Sequence, residues 1–235
     1  MGALIGWRRA APVGAFAVGL AALAGLAAGC DSPTIPGRDV AYDFRFLTDP
    51  PVVLRWPTGS AIRVRVEGGP DPGRAAVLRA AFRDAAAAWA DAVLFGEYRF
   101  VEAARVEEAD VVVYWSDVAP PVLTDACPGE LGGRALTWSC PSQTEPKRLY
   151  RFPLRSPAGA PSDVRMLVRV LASEAADPAR LRRLVLHELG HVLGIGQHSP
   201  DTRDVMWAGA AADRLSAADR ATVQVLYHTP PDLVP

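Results

Sequence analysis

The order of elements along the chain predicts an α+β fold. A strand and a long helix come first, several strands follow, and two helices close the chain. Two observations support this. Asp110-Val111-Val112-Val113-Tyr114-Trp115 is nearly all apolar, as a strand central in a sheet must be. Leu78, Phe82, Ala85, Trp89 and Val93 recur at three and four residues, which makes one apolar helical stripe.

The chain has 235 residues, enough for one domain plus appendages. Half of it is hydrophobic and 22% is charged, a composition for a packed core rather than disorder. The net charge of −1 offers no overall electrostatic footprint for nucleic acid, so no such partner is expected. Residues 1–29 read as an export signal. Arg8 and Arg9 precede an apolar run from Ala10 to Ala28, and the run ends in Leu26-Ala27-Ala28-Gly29-Cys30. Small residues before a cysteine resemble a bacterial lipoprotein signal, which implies that Cys30 is lipidated and that residues 30–51 tether the protein to a membrane. An ordinary secretory signal and a membrane-spanning anchor are the alternatives. Under all three readings the protein is exported to the cell envelope or beyond.

Cysteine usage agrees with export. With Cys30 set aside, Cys127 and Cys140 remain as an even pair in an oxidising compartment. A disulfide between them is expected to add about 3 kcal/mol. Two buried free thiols are the alternative, and metal ligation is disfavoured because no CxxC spacing is present.

The elements follow in order. Residues 31–57 hold Pro33, Pro36, Pro50, Pro51 and Pro57, which discourage helix and central strand alike. Ala61-Ile62-Arg63-Val64-Arg65-Val66 alternates apolar and charged residues, the pattern of a half-buried strand. After a Gly- and Pro-rich turn, a helix is expected over Arg74 to Phe95, stopped at Gly96. Strands are expected at Tyr98 to Val101, Asp110 to Trp115 and Arg134 to Trp138. One more is expected over Asp163 to Leu171, with Val164, Met166, Val168 and Val170 on one face. Asp177 can cap the next helix, Pro178 suits its first position and Gly194 its end. Ser216 can cap a final helix to about Tyr227, with Asp219 where a capping box would have Glu.

The chemistry concentrates in His187-Glu188-Leu189-Gly190-His191. Histidines at i and i+4 project from one helical face, so both imidazoles can reach one ion. Glu188 can sit beside that ion and take a proton from water. Of the four histidines, His187, His191 and His198 fall within twelve residues, while His228 lies past the last helix and reads as a surface residue. The flanking segment is apolar, unlike that of a solvated surface helix. A third protein ligand is needed. A later glutamate is excluded, because none follows Glu188. Asp201, Asp204 and the histidine just past the helix, His198, are the candidates.

Here the sequence resembles the metzincin zinc endopeptidases, and most closely their matrixin-like branch. Their pattern is HExxHxxGxxH, followed by a methionine in a turn beneath the zinc. This chain matches at His187, Glu188, His191 and Gly194, and departs at Gln197, with the histidine one residue later at His198. Ser199 after that histidine, Asp204-Val205-Met206-Trp207, and Leu215 to Asp219 with Val223 to Tyr227 match landmarks beyond it. Glycines at 194 and 196 make a one-residue insertion inexpensive. The resemblance implies a catalytic domain over residues 52–229 and a tail at 230–235. It implies a mainly parallel, twisted sheet of four to five strands and three main helices. Gly132-Gly133-Arg134-Ala135-Leu136 resembles the antiparallel edge strand that lies over the active-site cleft in that family. It further implies one catalytic Zn2+ on His187, His191 and His198, Glu188 as general base, Met206 in the turn, and a peptide or protein substrate. Structural Ca2+ is common in such relatives, but no ligands for it can be named here. A monomer is expected. A metal-binding envelope lipoprotein without turnover, or one with an accidental HExxH, remains the alternative.

Overall fold

Strand β1 (Ser60–Glu67) alternates as expected, with Ile62, Val64 and Val66 buried. The computed structural model describes residues 40–47, 50–118, 135–138, 152–155, 161–164, 166–232 and 234. At 135–138, 152–155 and 161–164 only the backbone is described. Cys30, Cys127, Cys140, the signal segment 1–29 and Gly132-Gly133-Arg134 lie outside these residues.

Helix α1 (Pro72–Ala90) is capped by Asp71, whose carboxylate accepts from Gly73 N and Arg74 N. Its stripe buries Leu78, Phe82, Ala85 and Trp89. The helix stops at Asp91, short of the expected Phe95. Trp89 O, which residue 93 would claim in a continued helix, instead accepts from Ala92 N at 3.1 Å and from the Tyr98 hydroxyl at 2.7 Å. The chain then turns through Gly96, at φ +65°, into β2 (Tyr98–Glu102).

Strand β3 (Val111–Trp115) is buried at every position. It sits in the middle of a five-stranded sheet, of order β2, β1, β3, then the strand Met166–Val170 (β7) and the strand Ala135–Trp138 (β4). Strands β2, β1, β3 and β7 run parallel, and β4 pairs antiparallel with β7, Ala135 opposite Val170. The class is therefore α+β, with four parallel strands, an antiparallel edge and, among the described residues, three α-helices.

The single strand expected over 163–171 is instead two. β6 (Pro161–Val164) pairs with β5 (Phe152–Arg155) in a separate two-stranded sheet. β7 joins the main sheet through Met166 N donating to Asp110 O. Held between β3 and β4, β7 buries Leu167 as well as Met166 and Val168, so both its faces are covered rather than one.

Helix α2 (Pro178–Leu193) has the expected ends. Asp177 accepts from Ala179 N and Arg180 N, and Gly194 closes the helix at φ +113°. A Cβ on Gly194 would lie 1.9 Å from Leu54 O, so both conformation and space demand glycine. The Trp89 indole of α1 donates to Leu186 O of α2 at 2.8 Å, which ties the two helices together. Helix α3 (Ala217–Tyr227) opens on the Ser216/Asp219 capping box.

Part of the expected tether belongs to the folded body. Tyr42, Phe44 and Phe46 pack against the core, and Phe46 forms an antiparallel bridge with Val52. Prolines in this stretch suppress regular structure but do not prevent aromatic side chains from packing, partly buried, against the core.

Candidate metal centre

His187 and His191 stand one turn apart on α2, with ring centroids 4.9 Å apart. His198 lies on the following loop, its ring 5.2 Å from each. One ligand nitrogen from each of the three falls within 4.8 Å of the others. Gln197, the residue at the unshifted position, points elsewhere: its exposed amide Nε2 is 3.4 Å from Asp43 Oδ2.

Two of the rings are held by backbone carbonyls. His187 Nδ1 is 2.7 Å from Val205 O and His191 Nδ1 is 2.6 Å from Ile195 O. A carbonyl can only accept, so each Nδ1 carries the proton and each Nε2 presents its lone pair. That is the arrangement by which outer partners fix a metal-binding imidazole. Burial pushes the pKa of His187 down to about 4, helped by neighbouring His191. Burial likewise lowers His191 to about 4, and His198 is shifted in the same direction. All three are therefore neutral near pH 7 and able to ligate. A set of three neutral imidazoles with two rings pre-oriented fits Zn2+.

Glu188 follows His187 on the helix and is only 5% exposed. Below them the packing leaves no slack. A Cβ on Gly190 would lie 2.3 Å from Met206 Sδ and 2.9 Å from Trp89 Cζ2. Met206 is fully buried under α2, and its carbonyl accepts from Ser199 N at 2.9 Å, next to His198.

The two aspartates considered as third ligands are occupied otherwise. Asp201 is paired with Arg203, and Asp204 accepts the Ser199 hydroxyl. His228 is exposed, with Nε2 3.0 Å from Glu97 Oε1. Trp207 folds its ring over Gly209, where a Cβ would lie 1.9 Å from it. Among the described residues His187, His191 and His198 are the one group of three or more His, Cys, Asp or Glu side chains placed to hold an ion.

Asp219 does more than its sequence pattern suggested. Fully buried, it accepts from Ser216 N as a cap, and also from Val205 N at 2.8 Å, Met206 N at 3.3 Å and the Tyr42 hydroxyl at 2.8 Å. The carboxylate thus holds the very turn whose Val205 carbonyl orients His187. The only sequence signal was Asp in place of the usual Glu of a capping box. Tyr42 gave no signal at all.

No protein-family model and no curated protein matches this sequence. Among solved structures the chain is similar to two of myroilysin. One covers 83% of this chain and 97% of its own at 15% identity, the other 75% and 83% at 16% identity, each with a TM-score of 0.42. An overlap this loose carries no weight for the chemistry, so what can be said of the site comes from the chain's own residues.

Proposed function

We propose that this chain is a zinc-dependent endopeptidase of matrixin-like type. The observation that carries the reading is the convergence of His187, His191 and His198, with the Nδ1 atoms of the first two turned onto carbonyls. Zinc, when bound, supplies a Lewis acid that polarises the substrate carbonyl and makes water acidic. The chain does the rest. Glu188 takes a proton from the attacking water and passes it to the leaving amide nitrogen. Gly190 and Met206 support the helix turn that carries both histidines. The edge strand β4 has β7 as its sheet neighbour on one side, and a substrate strand can add to the other through main-chain hydrogen bonds.

The test is Glu188→Gln. Hydrolysis of a peptide library should fall by about 10²- to 10⁴-fold, the usual contribution of a general base, while zinc content stays unchanged. A wild-type protein that holds zinc but cleaves nothing would favour the metal-binding lipoprotein instead.

Export and anchoring belong to the same proposal, supported by the Arg8-Arg9 and Ala10 to Cys30 pattern. The Cys127–Cys140 disulfide rests on that compartment. Cys30→Ser should move the protein from the membrane fraction to the soluble fraction. Unchanged membrane attachment would rule out a lipid on Cys30.

A further inference from the structure

The segment Tyr42 to Phe46 touches both relays that orient the helix histidines. The first runs through one peptide group. Ile195 O receives the Nδ1 proton of His191, and the N–H of the same peptide unit, on Gly196, donates to Phe44 O at 2.8 Å. The fit there is close, for a Cβ on Gly196 would lie 2.7 Å from the Phe46 ring and 2.9 Å from Phe46 Cα. The second relay runs through Asp219. The Tyr42 hydroxyl donates to Asp219 Oδ1 and Tyr42 N to Thr222 Oγ1, while Asp219 accepts from Val205 N, and Val205 O receives the Nδ1 proton of His187.

We propose that residues 42–46 form a strap that sets the orientation of His187 and His191, with Tyr42 and Phe46 as its positioning residues. The proposal rests on the reading of the three histidines as a metal site. It also explains how the loop between Gly194 and His198 carries an additional residue without loosening the site. Gly196 lies directly against Phe46 of the strap, and Gln197 reaches toward Asp43. The long, exposed Gln197–Asp43 contact contributes little beside the buried ones.

The strap acts at a distance from any ligand atom, so its signature is in metal geometry rather than in fold alone. In the full-length protein, Co2+ affinity and the visible absorption of the bound ion are measured for wild type, Tyr42→Phe, Phe46→Leu and Phe46→Ala. Metal-free melting temperatures are taken alongside. Tyr42→Phe removes one hydroxyl and Phe46→Leu keeps an apolar side chain, so both leave a folded protein to measure if Phe46→Ala does not. The expected result is a loss of Co2+ affinity of about tenfold, the lower end for removing outer-shell support, with an altered spectrum. Variants that melt earlier yet bind Co2+ with unchanged affinity and spectrum would overturn the strap and leave the metal site standing. A wild type that takes up no Co2+ would overturn the metal site itself, and the strap with it.

Discussion

Gly190 shows how tightly single residues are specified around the histidines. It lies between Glu188 and His191, on the side of α2 that faces Met206 and Trp89. Glycine in a helix interior costs about 1 kcal/mol relative to alanine. Here that cost is offset by letting the thioether approach closer than any Cβ would permit. Gly190→Ala is therefore expected to destabilise the protein despite better helix propensity, by about 1–3 kcal/mol from overpacking. Thermal unfolding checks this, and a raised melting temperature would show that Met206 can move aside. The same scale shows what was hidden in the sequence. His187, Glu188 and His191 declare themselves by spacing, because a helix turns i and i+4 to one side. The contacts of Asp219 with Val205, Met206 and Tyr42 could not, because those partners lie 13 or more residues away and only the local cap to Ser216 leaves a mark in the sequence.

Elements were legible where their ends carry their own chemistry. Asp177 with Pro178, Gly194, and Ser216 with Asp219 each satisfy or release backbone groups locally, and the helices begin and end there. Boundaries set by tertiary contacts were not legible. α1 ends early because Tyr98 takes a carbonyl of its last turn. The stretch around 161–170 divides between two sheets, because Met166 pairs with β3 while Pro161–Val164 pairs with β5. Alternation within a run does not say which neighbour each half will choose. The loop that carries His198 is the instructive case. Its shift by one residue resembles a broken motif, yet Gly194 and Gly196 allow the chain to pass Leu54 and Phe46 and still bring His198 back.

At the scale of the molecule, the sheet supplies a rigid floor and the site hangs from its helical side. The all-buried β3 and the α1–α2 contact through Trp89 fix the helix that carries two histidines. Asp219, at the start of the last helix, fixes the turn that carries Met206. The N-terminal strap joins the two. Three remote segments thus converge on a loop that the sequence presents as contiguous. In the proposed site the loop has grown and His198, not Gln197, completes the metal ligands. Zinc content per chain of the wild-type, Gln197→Ala and His198→Ala proteins tests it most directly. Wild type and Gln197→Ala are each expected to hold about one zinc, with His198→Ala losing it. A His198→Ala protein that retains zinc as well as wild type would show that the third ligand lies elsewhere.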